Sequence, residues 1–301
     1  MTLAESVGEA LGVGVARTRS VSGGDINRAC ALTLADGREL FVKYRADVAP
    51  GEFATEAAGL RWLGDAPALP VPAVVAVGDP PESEPGPGWL ALEWIDVGAL
   101  DAVGERKLGA GLARLHAAGA ASFGAGPPDA PSGPAGSLRI GPLRFERDEL
   151  PDWATYYAER LVRPVLRRAR DAGALPPAAS VDVERLCDRT ADLAGPPEPV
   201  ARLHGDLWSG NVMAGRDGQP LLVDPAAYGG HREVDLAMLA LFGSPAAVER
   251  VRAGYIEVSP LADGHEERVA LWQLFPLLVH AALFGGGYGQ SAHAVARRYV
   301  G

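Results

Sequence analysis

The sequence predicts an α+β protein in two unequal lobes. Residues 1–95 form a small antiparallel β-sheet lobe with one main helix, and residues 96–301 form a larger, mostly helical lobe. Three observations carry this. Two alternating runs, Ala29 to Leu34 and Glu39 to Tyr44, flank Asp36-Gly37, a strong hairpin signal. FATEAAGLRWL, Phe53 to Leu63, spaces its apolar residues as a helix does. From Arg106 onward helical patterns dominate and strand patterns become short.

Taken in order, residues 3–20 read as a short amphipathic helix leading into a strand, and SVSGGDIN, Ser20 to Asn27, as a glycine turn. The hairpin's second strand runs through FVKY, which places Lys43 among strand formers, and the helix that follows carries Glu56. LPVPAVVAVGD (Leu69 to Asp79) is a proline-bounded strand and PPESEPGPG a turn. WLALEWI is a buried strand that ends at Glu93-Trp94-Ile95, where a connection between the lobes would lie. RKLGAGLARLHA is a helix, and Gly124 to Gly136, rich in Pro, Gly and Ala, is a loop. Two further helices follow, Asp152 to Arg170, with a kink expected at Pro164, and Val181 to Leu193. The chain is helical again from Pro245, with a turn at Gly285 to Gly289.

Bulk properties limit the function. An apolar fraction of 48% and a charged fraction of 22% are those of an ordinary globular protein, and 301 residues suffice for a sizeable core. A net charge of −10 argues against nonspecific nucleic-acid binding, which needs a basic face. Cys30 and Cys187 match no zinc spacing and cannot build a disulfide framework, so a reducing, cytoplasmic setting is expected. MTLAESVGEA has acidic residues where an export signal would be basic. The longest apolar run, Val269 to Phe284, is broken by Gln273, Pro276 and His280 and reads as a core helix, not a membrane span.

The chemistry concentrates between Leu203 and Asp224, LHGDLWSGNVMAGRDGQPLLVD. A polar loop, His204 to Asn211, precedes a Gly-Arg-Asp-Gly turn and an apolar run that delivers Asp224. Phosphoryl transfer from a nucleotide needs a group that orients and deprotonates a hydroxyl, and hard oxygen ligands that hold Mg²⁺ against the phosphates. Asp206 suits the first task, and Asn211 with Asp224 the second, at the spacing kinase catalytic loops use. A strand lysine with a helix glutamate, Lys43 and Glu56, would orient ATP's α- and β-phosphates. Gly23 and Gly24 are candidates for phosphate contact, although they lack the GxGxxG spacing, and the backbone of Glu93 to Ile95 for pairing with adenine. Each residue also has a plainer reading: a surface Asx turn, a snorkelling lysine, a solvated helix face. Their joint occurrence in this order favours the catalytic one. For the acceptor pocket, Trp208 is the first candidate and Tyr228, His231 and Trp153 are weaker ones.

With these residues in view, the chain resembles the fructosamine-3-kinase, or ketosamine kinase, family of the aminoglycoside-phosphotransferase branch of the protein-kinase-like fold. The resemblance rests on LHGDLWSGNV, on DPAAYGGHREVDLAM followed by Phe242-Gly243, on DWATYYAERL and on QLFPLLVHAALFGGGY. It implies ATP- and Mg²⁺-dependent phosphorylation of the 3-hydroxyl of ketosamines, free or on protein lysine. The product would be an unstable adduct that releases the amine, a protein-repair activity. It further implies that His204 and Asp235 brace the catalytic loop; His116, on the helix Arg106 to Ala117, reads independently of the resemblance as a structural hydrogen-bonder beneath that loop and not a catalyst. Where many relatives carry Gly-Cys in the nucleotide loop, this chain has Gly24-Asp25, which argues against thiol switching there. Two other readings stand beside it: a kinase for an aminoglycoside, choline or similar amino alcohol, and a nucleotide-holding pseudokinase. The intact Lys43, Asp206, Asn211 and Asp224 set speaks against the pseudokinase, and Trp208 with Tyr228 to His231 against the other acceptors.

Overall fold

Side-chain alternation along the N-terminal strands sorts their residues onto two faces, and each face finds a helix. The computed structural model describes residues 1–21, 27–148 and 150–301. A first helix, α1 (Leu3–Leu11), starts at a reciprocal Thr2/Glu5 capping box. β1 (Val15–Val21), β2 (Arg28–Leu34), β3 (Glu39–Val48), β4 (Val74–Gly78) and β5 (Gly86–Glu93) form an antiparallel sheet in the order β1-β2-β3-β5-β4, with α2 (Glu52–Gly64) inserted after β3. Leu40 and Val42 of β3 and Trp89 and Ala91 of β5 pack with Val7 of α1. The alternate residues Leu90 and Leu92 pack with Phe53, Ala57 and Leu60 of α2. The period of two therefore puts Lys43, out of step with Leu40 and Val42, on the α2 side. The glycine turn with Gly23, Gly24 and Asp25 lies outside the described residues.

The remainder is mostly helical. A helix α3 (Ala102–Ala117), capped by Asp101, crosses the helix Pro245–Val258 at very short range. A Cβ on Gly109 would lie 1.8 Å from the Val251 carbonyl oxygen, and one on Gly254 would lie 2.1 Å from that of Arg106. Only glycine allows this approach. The stretch around Pro164 differs from expectation. Trp153–Tyr156 is α-helical, Tyr157–Val162 widens into a π-helix, and Arg163–Asp171 resumes as α-helix. The proline thus sits in the first turn of a new segment, where its missing N–H matters little. The apolar run ending at Phe284 lies in the helix His265–Phe284, whose Leu271, Trp272, Leu274 and Leu278 are fully buried. No helix among the described residues is long and apolar enough to cross a membrane.

Two short ribbons carry the polar loops. Ala201–Leu203 pairs with Tyr228–Gly230, and Val212–Ala214 pairs with Pro220–Leu222. The loop His204 to Asn211 leaves the first ribbon and enters the second, and Asp224 stands on the way back.

Candidate active site

The loop after Leu203 is clamped from below. Asp235, fully buried in the helix Glu233–Phe242, accepts hydrogen bonds from the backbone N–H groups of His204 (2.7 Å) and Gly205 (2.9 Å). It also meets His116 Nε2 at 3.2 Å, and His116 Nδ1 pairs with the Tyr255 hydroxyl at 2.8 Å. Burial opposes the Asp235 charge, yet these donors hold its carboxyl below the usual range. His204 bridges the two loop segments. Its Nε2 donates to the Val223 carbonyl (2.9 Å), which leaves Nδ1 to accept from the Asp206 N–H (3.3 Å). Gly205 has φ +82°, and a Cβ there would lie 2.1 Å from the Ala226 oxygen, so glycine is required.

Above this clamp the predicted residues converge. The Lys43 ammonium touches Glu56 and lies 3.0 Å from Asp224 Oδ1. The Asn211 amide donates to the Asp206 carbonyl (2.8 Å) and to Asp206 Oδ2 (3.2 Å). Its own oxygen is thereby turned away from Asp206, and no described residue donates to it. Asp224 is the single non-glycine residue with positive φ (+53°) among those described, a conformation that persists where its surroundings enforce it.

The electrostatics separate the two aspartates. Burial raises the Asp206 carboxyl above its ordinary value, against the pull of His204, His280 and Asn211. Lys43 holds Asp224 below its ordinary value. Burial alone would discharge Lys43, but Glu56 and Asp224 keep it protonated, while burial pushes Glu56 up to about 7. One ammonium thus serves two carboxylates, Glu56 and Asp224, and Asp206 lines the same cleft without a cation of its own among the described residues, which leaves an excess of acidic groups and a set of carboxylate and amide oxygens. That donor set fits a hard divalent cation held by Asn211 and Asp224.

Lys43, Glu56, Asp206, Trp208, Asn211 and Asp224 all line one cleft of about 560 Å³. Glu93 ends β5 with its side chain exposed, and Ile95 follows it half-buried on the connection into the helical part. That connection is tied to the second ribbon, since Gly98 N–H donates to the Ala214 carbonyl at 2.8 Å. Neither Glu93 nor Ile95 lines the cleft.

Three acceptor-pocket candidates lie elsewhere. Tyr228 is 1% exposed and its strand packs face-on against the core, so its ring meets Tyr156 instead of solvent. Trp153 is buried in the same cluster. His231 is buried between Trp153 and Trp272, with ring centroids 6.2 and 5.4 Å away. Burial depresses its basicity and keeps it neutral. Glu198 and Glu233 stand beside it, but Arg232 and Arg268 already neutralise them, so this trio is an ion-pair network and not a cation site.

The cleft wall beside Trp208 is built instead by Phe242, His280, Phe284 and Tyr288, none of which the sequence marks as a pocket candidate. Phe242 lies 6.4 Å from Trp208 in an edge-on arrangement, and His280 stacks within 4.9 to 5.6 Å of Phe242, Tyr288 and Phe284. His280 Nδ1 is bonded to the Pro276 carbonyl at 2.8 Å. The signal was present: His280 is one of the polar interruptions of the apolar run.

The chain matches the family model described as fructosamine kinase over residues 2–300. The chain belongs to the fructosamine kinase family. It is 34% identical to a protein of Synechocystis named a probable ketoamine kinase, covering 99% of this chain and 95% of that one. It is 31% identical to the chloroplastic protein-ribulosamine 3-kinase of Arabidopsis thaliana, over 95% and 83% of the two chains. A crystal structure from Thermobifida fusca, described as a fructosamine-3-kinase, superposes with a TM-score of 0.85 at 43% identity, covering 98% and 97%. An aminoglycoside phosphotransferase, APH(4)-Ia, shares the fold at a TM-score of 0.60 and 18% identity. The fructosamine kinase family consists of kinases, and this chain is accordingly an ATP-dependent kinase with a two-lobed protein-kinase-like fold.

Proposed function

We propose that this protein transfers the γ-phosphoryl group of ATP to the 3-hydroxyl of a ketosamine bound between Asp206 and Trp208. The convergence of Lys43, Glu56, Asp206, Asn211 and Asp224 on one cleft carries the reading. Asp206 accepts the hydroxyl hydrogen bond and aims the oxygen in line with the phosphorus. The new O–P bond forms as the bond to ADP breaks, and the proton passes to the Asp206 carboxylate late in the step. Its raised basicity suits that task. Lys43, oriented by Glu56, binds the α- and β-phosphates. A Mg²⁺ ion on Asn211 and Asp224 would supply charge neutralisation at the phosphate oxygens. Positioning and electrostatics supply most of the rate, because a dissociative transfer asks little of a base. The phosphorylated adduct then loses its amine, a deglycation consistent with a role in protein repair.

A coupled ADP-release assay over fructosyl-lysine, ribulosyl-lysine, a free aminoglycoside and no acceptor tests the reading. ADP release that depends on either ketosamine is expected. Release with the aminoglycoside alone would replace it by the amino-alcohol kinase reading.

A further inference from the structure

A short hairpin, Leu138–Ile140 paired with Leu143–Phe145, brings two arginines to the cleft, Arg139 within it and Arg147 just beyond. Neither has a dedicated counterion among the described residues. The Arg139 side chain is 10% exposed and its closest carboxylate, Glu52, is 3.9 Å away. Arg45 already engages both oxygens of that carboxylate at 2.9 and 3.0 Å. Among the described residues, Arg139 Nε is buried without a hydrogen-bond partner. Arg147 goes further: among the described residues its Nε and Nη1 are both buried without a partner, and Nη2 makes only a 3.4 Å bond to the Ala227 carbonyl. Burial pushes its guanidinium down to about 10. Other partly buried arginines are matched, Arg232 by Glu198 and Arg268 by Glu233. In a chain with 38 acidic and 28 basic residues, two cleft arginines with empty N–H groups call for an explanation.

Leaving buried donors unbonded is costly, and a guanidinium presents them in a planar fork matched to a carboxylate or phosphate. The fork of Arg147 is held against Gly126, where a Cβ would lie 1.5 Å from Nη1. Its location points to the acceptor and not to ATP. Ala227 follows Ala226, whose carbonyl packs on Gly205, the neighbour of Asp206, whereas Lys43 already serves the donor phosphates.

We propose that Arg139 and Arg147 form an anion subsite for the acceptor, so that the preferred substrates are ketosamines bearing an anionic oxygen group of their own. This rests on the ketosamine kinase reading and narrows it. The group is a carboxylate, as in the adduct of a free amino acid, or a phosphate on the sugar. An adduct of an unphosphorylated sugar on a protein lysine offers neither beside the sugar.

The test compares fructosyl-glycine, fructosyl-glycinamide and fructosyl-glycinamide 6-phosphate, with binding to the full chain read by calorimetry without ATP. The wild type should bind at least one anionic adduct about tenfold or more tighter than the neutral one, and which one identifies the group. Arg147→Met and Arg139→Met should each reduce that ratio to about threefold or less, with the KM for ATP within about twofold of wild type. Arg147→Met should melt no lower than the wild type, since it removes an unmatched buried cation. Equal wild-type affinity for all three adducts, a preference surviving in both variants, or a tenfold rise in the KM for ATP would each overturn the subsite. Turnover separates the two claims. ADP release from the neutral adduct without anion preference sinks the subsite alone. Anion-dependent binding with no turnover of any adduct sinks the ketosamine reading alone.

Discussion

Lys43 Nζ lies 3.0 Å from Asp224 Oδ1, closing a contact between residues 181 apart in sequence. It joins the central strand of the N-terminal sheet to the loop behind the second ribbon. Glu56 shares the same ammonium, so both the pair proposed to orient the nucleotide and the aspartate proposed to bind the cation depend on one side chain.

Lys43→Met should therefore cost both activity and stability. With the ammonium gone, kcat/KM should fall by roughly 10³, as expected for loss of electrostatic stabilisation at the phosphates. Removing one member of a buried pair costs about 3–5 kcal/mol, and the half-exposed Asp224 places this case at the lower end. Glu56 gives the loss a pH signature. Its carboxyl is raised in the folded state, so folding is favoured at low pH and loses stability as pH rises through about 7. Without Lys43 that effect grows. Melting curves should show a larger deficit at pH 8 than at pH 5.

Asp206 must be ionised to accept the hydroxyl proton, and burial lifts its carboxyl above the ordinary value. Activity should fall as pH drops through that raised value, so the acid limb of the kcat profile should stand above the ordinary carboxylate range. A limb at or below that range would contradict the assignment.

Trp208 is 40% exposed at the cleft, edge-on to Phe242. Trp208→Ala should raise the KM for ketosamine roughly tenfold, the scale of one lost aromatic contact, and leave the KM for ATP unchanged. An unchanged ketosamine KM would make the ring a support for the loop.

His231 is kept neutral by burial, helped by Arg268 and Arg232 and opposed by Glu233 and Glu198. Its folded value lies below the unfolded 6.5, so its contribution is complete above 6.5 and is lost as pH falls through the folded value. The part of the melting temperature that His231 contributes should decline on acidification below pH 6.5, opposite in sign to the Glu56 contribution. His231→Gln should decline less over the same window.

The fold was legible wherever a local pattern had one structural solution. The alternation of β2 and β3 about Asp36-Gly37 fixed which face carries Lys43, and the spacing from Asp206 to Asn211 and Asp224 fixed the order of the catalytic groups. Pro164 shows where local rules stop, because packing selected a π-helical turn ahead of it. Tyr228 and His231 failed for a related reason. Their polar and aromatic character suits a pocket wall, but the pairing of Tyr228–Gly230 with Ala201–Leu203 turns that segment into the core. His280, Phe242 and Arg147 were invisible as a set, since helix, helix and loop bring them to the cleft only through tertiary packing.

The central claim is that this cleft phosphorylates a ketosamine with Asp206 as the proton acceptor. Phosphorus NMR of the products from fructosyl-lysine and ATP, for wild type and Asp206→Asn, tests it most directly. The account predicts a 3-phosphate monoester and ADP from the wild type, followed by release of lysine. In Asp206→Asn it predicts no more than about one per cent of that rate, with ATP affinity near wild type. A wild type that hydrolyses ATP without labelling the sugar, or an Asp206→Asn variant that retains more than a few per cent of the rate, would contradict it.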